Sequence, residues 1–321
     1  MQTRFGRRAG AFAAAASALA LLAACGPSAD ETAEADASAG GEGITPDTLI
    51  IGAVPAEEAT GLENSYEPVI EMLKDETGLD VEFQTATDYA AVIEGQRSGQ
   101  IHIAQYGPFS YYIAKNTGSE ITVAGAMVQE KDEPPGYVSY GVVPADSDIE
   151  SIEDFAGKHL CFVDPNSASG YLYPLAGLLE AGIEEGDWDE TFAGGHDASA
   201  IATAAGECEA GFAFDSMVDE TLVDNGSIEE GDLRVVWESE TITSSPITVY
   251  DGLDQELFDT VMAALQEKAN QDYLVANGYC EEGDCDLTDE RIWGWEAVPD
   301  DFYDALDVVC EATRAAQCSD S

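Results

Sequence analysis

Two short stretches hold the residues best suited to gripping a small molecule, DPNSASGYLYP at 164–174 and GGHDAS at 194–199. In the first, the strand-like run HLCFV leads into Asp164-Pro165, and Ser167 or Ser169 caps a helix that continues through LAGLLEAG. The first N–H groups of a helix have no carbonyl partner and sit at the positive end of its dipole, so an anion is stabilised there. The serine hydroxyls add donors, and Gly170 is expected to let the backbone approach the ligand closely. In the second stretch His196 follows Gly194-Gly195 at another helix start, and the strand GFAFDS then presents Asp215. AQYGPFSYYIA puts Tyr106 at a strand end, where an open α/β sheet keeps its ligand crevice, and TATDYAAVIEG puts Tyr89 at the start of a helix. Each feature has an ordinary reading: a capped helix with nothing bound, a packing tyrosine, a structural histidine. Their convergence is what points to binding.

Catalysis needs more than these residues provide. A hydrolase requires a nucleophile with a positioned base, or a metal cluster. The chain has three histidines. His102 lies in an alternating strand and His159 just before a strand, both expected to be exposed, which leaves His196 alone. There is no GxSxG elbow, HExxH pair or Walker loop, so an exported phosphatase is the weaker alternative and no cofactor is expected.

The elements that must position these residues alternate between strand and helix. LIIGAVPA reads as a buried strand, NSYEPVIEMLKDETG as a helix capped by Asn64 or Ser65 and stopped at Gly78, LDVEFQTA as a strand, and DYAAVIEGQRSG as a helix capped by Asp88. IHIAQYGP follows as a short strand. This alternation predicts an α/β fold with mostly parallel sheets and crossover helices. The length from Thr48 onward exceeds a single core and predicts two lobes. The grammar restarts after YVSYGVVP, and near TITSSPITVYDGLD the chain returns. Lobe one is therefore expected at 44–142 with 250–321 and lobe two at 143–249, with two hinge crossings. WGWEAVPDDFYDALDVV is expected to pack back on lobe one.

Composition sets the compartment and excludes some partners. Arg4, Arg7 and Arg8 precede an apolar run ending in Leu-Ala-Ala-Cys-Gly, a signal-peptide plan over 1–24 that resembles a bacterial lipobox with Cys25 as the lipidated residue. Residues 25–43 hold no large apolar residue after the cysteine and read as an acidic flexible tether. The protein is thus expected on the outer side of the plasma membrane, anchored by lipid. Six cysteines remain after Cys25. Their spacing suggests Cys280–Cys285 and Cys310–Cys318 as local loops, leaving Cys161 and Cys208 to pair if their strands are neighbours. A zinc site would need tight CxxC pairs with histidines, so no metal is expected. With 64 acidic against 12 basic residues and a formal charge of -52, nucleic acid is excluded as a partner. Self-repulsion on that scale calls for salt to screen it and suggests a salt-loving source.

Four motifs in order, TDYAAVIEG, IAQYGPFSY, SASGYLYP and GHDASA, are similar to those of the phosphate/phosphite/phosphonate-binding lipoproteins of ABC transporters. The resemblance covers the chain from about residue 48. It implies a two-lobed type II periplasmic-binding fold that closes on a tetrahedral phosphorus oxyanion, a permease and its ATPase as partners, and a monomer. Tyr89 and Tyr106 would donate from lobe one. Ser167, Ala168 and Ser169 would offer N–H and hydroxyl donors from lobe two, with His196 and Asp215 closing the site. Two positions depart from the pattern. Ala168 keeps only its backbone donor, and Ser245 stands before Pro246 where aminophosphonate-binding relatives carry an acid. A sensor lipoprotein that presents the ligand to a membrane receptor would use the same lobes.

Overall fold

β1 (Thr48–Ala53) is apolar on both faces because it runs through the middle of a sheet, and Leu49 and Ile51 are fully buried. In the computed structural model, which describes residues 43–54, 63–288 and 291–319, it pairs in parallel with β2 (Asp80–Thr85) and with β3 (Ile103–Gln105). The leader, Cys25 and the tether up to residue 42 lie outside the described residues. The first sheet is completed by β4 (Ile121–Val128), β12 (Pro246–Tyr250) and β13 (Gly294–Glu296), in the order β13-β4-β12-β3-β1-β2. β12 runs antiparallel to both its neighbours, β3 and β4, and β13 runs antiparallel to β4. The chain re-enters this sheet from the other lobe, so its returning strands arrive reversed among the parallel ones.

The second sheet has the order β10-β6-β9-β7-β8, from β6 (Ser139–Pro144), β7 (His159–Phe162), β8 (Asp189–Phe192), β9 (Ala210–Phe214) and β10 (Leu233–Glu238). β7, β8 and β9 are parallel, and β6 is inserted antiparallel between β9 and β10. Two short strands, β5 (Gly136–Tyr137) and β11 (Ile242–Thr243), pair with each other outside both sheets. They lie on the two crossings, which run side by side: Ser239 N donates to the Ser139 carbonyl and Met127 N to that of Ser245. The switch between sheets comes a few residues before the points expected from sequence. β6 belongs wholly to the second sheet and β12 wholly to the first.

Local signals place the helices. Asp88 caps Tyr89–Arg97 by accepting from Ala91 N at 2.8 Å, and Gly78 closes Glu67–Thr77 in the left-handed conformation at φ 67°. The expected cap at Asn64 or Ser65 gives way to Tyr66, because Pro68 fixes the first turn and needs no N–H partner. Cys161 in β7 and Cys208 just before β9 are joined across neighbouring strands, and Cys280–Cys285 and Cys310–Cys318 close local loops.

The C-terminal segment follows expectation only as far as β13, which joins the first sheet beside β4. Its helix Ala305–Thr313 packs on Tyr173–Glu180 and Ala168–Leu172 of the second lobe. Tyr112 of the first lobe donates to Asp307 at 2.8 Å, and Tyr303 donates to the Ser244 carbonyl beside a crossing at 3.0 Å. It spans both lobes because its apolar face, Leu306 and Cys310, meets a core that the two lobes share. No helix among the described residues is long and apolar enough to cross a membrane.

Candidate functional site

The two lobes meet along one apolar seam. Tyr89, Tyr106 and Phe109 from the first lobe join Phe162, Val163, Ala168 and Leu172 from the second in a single buried cluster. Helix Pro108–Asn116 lies against Ala168–Leu172. Asp164 approaches from lobe two, its carboxylate accepting from the backbone N–H of Tyr89 in lobe one. Burial raises the Asp164 pKa, opposed by hydrogen bonds from Asn166 and Tyr89.

Ser167 caps the turn after β7, accepting from Gly170 N at 3.0 Å. The turn Ala168–Leu172 is π-helical, with Leu172 N bonded to the Ser167 carbonyl at 3.1 Å, before it tightens into Tyr173–Glu180. Such widened turns recur at functional sites. Ala168 and Ser169, as the first residues of the turn, have N–H groups that no carbonyl one turn earlier can take. Ser139 on β6 fixes the turn from below, donating to the Ser169 carbonyl at 2.6 Å. Gly170 has a different role from the one expected. A Cβ there would lie 2.3 Å from Val163 Cβ, and its N–H is already held by Ser167, so the glycine serves packing of the turn on the strand rather than close approach of a ligand.

His196 begins helix His196–Ala204 after an uncapped Gly195 and is 3 % exposed. Its ring packs on Phe214 at 4.7 Å, and its Nε2 lies 3.3 Å from Ser167 Oγ. Nδ1 is buried with no hydrogen-bond partner among the described residues. Burial pulls the pKa of this imidazole down to about 3, so it is neutral at physiological pH. Two proton arrangements fit. Ser167 donates to Nε2 and Nδ1 carries the ring proton, or Nε2–H donates to Ser167 and Nδ1 is an acceptor.

The remaining candidates separate. The Tyr106 hydroxyl donates to the Val92 carbonyl at 3.4 Å, so in this conformation the donor expected for a ligand is used inside lobe one. Burial raises its pKa further. Asp215, at the end of β9, is half-buried and sits in a recess of about 310 Å³ with Gln129, Glu130, Ser216, Asp219, Glu220 and Arg291. Burial raises its pKa, with backbone hydrogen bonds from Ser216, Asp215 and Val138 opposing. The two other histidines are less exposed than expected. His102 is 5 % exposed, accepting from Ile50 N at 2.9 Å through Nδ1, and His159 bonds Thr191 and the Glu207 carbonyl.

Sequence reasoning missed the start of helix Pro108–Asn116, where Gly107 gives no side-chain cap and Ser110 is fully buried. The Gly-Pro pair in YGPFS is its signal, an uncapped helix start immediately after a strand. Asp164 was also not singled out, since its partner in lobe one, the Tyr89 N–H, is distant in sequence.

A family model described as "ABC transporter, phosphonate, periplasmic substrate-binding protein" matches residues 51–299. The chain belongs to this family of ABC-transporter binding proteins. It is 43% identical over 315 residues to the phosphate-import protein PhnD of Mycolicibacterium smegmatis, covering 95% of this chain and 97% of that one. Among solved structures, the binding component of a Pseudomonas aeruginosa ABC phosphonate transporter superposes with a TM-score of 0.71 at 22% identity, over 84% of this chain and 87% of that one. PhnD1 of Prochlorococcus marinus, solved with methylphosphonate, gives 0.70 at 17% identity over 84% of this chain and all 100% of that one. This binding protein therefore has the two-lobed fold of type II periplasmic receptors and works outside the cytoplasm with the components of an ABC importer.

Proposed function

We propose that the cleft captures a small phosphorus oxyanion, phosphite, phosphate or a small alkylphosphonate, and holds it with neutral donors alone. The observation that carries this reading is His196 Nδ1, a buried polar atom without a partner at a helix start, hydrogen-bonded through its other nitrogen to the cap of a second helix start. Among the described residues no ion pair involves Ser167, Ser169, His196 or Asp215. A ligand anion at Nδ1 requires a donor there. That selects the arrangement in which Ser167 gives its proton to Nε2 and also accepts from Gly170, so Ser167 orients the histidine while Ala168 and Ser169 supply N–H groups.

Local donors suffice in a chain this acidic because the overall field is screened over about 8–10 Å in ordinary salt. Asp215 lines a separate recess, but it follows Phe214, on which His196 packs, and in this proposal it serves as the acceptor for a ligand P–OH. Sulfate has no such proton at neutral pH, and its oxygens would meet an unpaired carboxylate. Ser245 in place of an acid favours ligands without an ammonium group. The matched relative imports phosphate and one neighbouring structure holds methylphosphonate, both consistent with this class. Lipid anchoring at Cys25, a monomeric state, adaptation to high salt and the lack of hydrolytic activity belong to the same proposal. The leader supports the anchor, the charge supports the salt adaptation, and the family's description as a substrate-binding protein supports binding without hydrolysis.

The test is histidine-selective ¹⁵N NMR. The His196 ring should be neutral, with its proton on Nδ1, and that resonance should move when methylphosphonate or phosphite is added. A proton on Nε2 that stays there with ligand present would refute the assigned arrangement.

A further inference from the structure

Among the described residues Arg291 is the one basic side chain lining the recess beside Asp215, and four acids line it too: Glu130 from the first lobe, and Asp215, Asp219 and Glu220 from the second. Its backbone is fixed to the first lobe. Residues 287 and 292 form a β-bridge, and Trp293 N donates to the Val128 carbonyl at the end of β4. Its side chain nevertheless reaches the second lobe. Nη1 pairs with the carboxylate of Asp224, at the end of the helical segment following β9, while Nε lies 3.4 Å from Asp286 on its own lobe. Glu220, also of the second lobe, adds to the field on the guanidinium.

We infer that Arg291 is an electrostatic clasp that holds the two lobes together across the mouth of the cleft, setting the balance between open and closed forms without touching the ligand. Closure brings acids of both lobes to one rim. Without a cation between them, Glu130 and Asp286 would face Asp219, Glu220 and Asp224 in mutual repulsion. The guanidinium turns that repulsion into a bridge, and it can do so only when the lobes are closed. Arg291 is thus a positioning residue for capture. The inference rests on the reading of the chain as a receptor that closes on its ligand, but it concerns an equilibrium that exists without ligand.

The test uses the full-length protein in detergent solution, with dyes placed through non-canonical amino acids at exposed Glu82 of lobe one and Glu185 of lobe two. Energy transfer between them reports closure. The pair is partly exposed, 38% for Arg291 and 52% for Asp224, which limits its strength. At about 0.05 M salt, Arg291→Gln should lower the closed-to-open ratio roughly two- to fivefold, and the loss should shrink at about 1 M. The reversed pair, Arg291→Asp with Asp224→Arg, should recover at least half of it, which guards against a single variant that merely misfolds. Energy transfer unchanged in Arg291→Gln at low salt, or no recovery in the reversed pair, would overturn the clasp. A parallel titration with methylphosphonate should show affinity weakened by the same factor. If the unaltered protein binds no methylphosphonate while the energy-transfer changes appear, the ligand assignment fails and the clasp stands.

Discussion

Lowering the pH should unfold this protein partly through His196, and the size of that effect follows from its burial. The imidazole is neutral when folded, with a pKa of about 3, while an unfolded histidine titrates near 6.5. Between those values the unfolded chain binds more protons than the folded one, so stability falls as pH drops below about 6.5. From pH 7.5 to pH 5 the loss from this one group is about 2 kcal/mol, by the relation of about 1.36 kcal/mol per unit. The figure is insensitive to the folded value as long as that lies below about 4, because by pH 5 only the unfolded chain has taken up the proton. The assay is urea unfolding at both pH values for the unaltered protein and for His196→Gln, in the same high salt. The carboxylates titrate alike in both, so the difference in slope isolates the histidine. His196→Gln should lose about 2 kcal/mol less across the interval. Equal losses would refute the assignment of a buried, neutral imidazole.

Other outcomes follow from single contacts. Gly170→Ala forces a Cβ to 2.3 Å from Val163 Cβ and should cost about 1–3 kcal/mol, read from the shift in urea midpoint; a change below about 0.5 kcal/mol would mean the turn tolerates the extra atom. Replacing Cys161 and Cys208 by serine opens a loop spanning 47 residues and should remove about 4 kcal/mol, seen as a lowered melting temperature, with no change expected if the pair does not form. Asp215→Asn should admit sulfate in a calorimetric titration, since an amide can donate where a carboxylate cannot; unchanged rejection would remove Asp215 from the selection of ligands.

Local chemistry was legible from the sequence. Asp88 and Ser167 cap the turns they announce, Gly78 ends its helix, and the three cysteine pairs follow from spacing together with the adjacency of β7 and β9. What stayed hidden depends on partners far along the chain. Gly170 reads as a ligand approach until Val163 is placed beneath it, and the Tyr106 hydroxyl reads as a free donor until helix Tyr89–Arg97 brings the Val92 carbonyl to it. His102 alternates like an exposed strand residue, yet it is buried because its ring nitrogen replaces a ladder acceptor for Ile50. The C-terminal helix was expected on one lobe and bridges two, since its amphipathic pattern shows that it must pack and not on what.

Binding is tested most directly by the melting temperature of the chain produced from Gly26 onward, in molar KCl with phosphite, phosphate, hypophosphite, methylphosphonate, 2-aminoethylphosphonate or sulfate. A ligand at about a hundred times its dissociation constant adds roughly 2.7 kcal/mol, a rise of a few degrees for a protein of this size. If the cleft holds a phosphorus oxyanion as proposed, at least one of the small phosphorus ligands should raise the curve and sulfate should leave it unmoved. A rise with sulfate equal to that with the phosphorus ligands, or no rise with any of them, would contradict it.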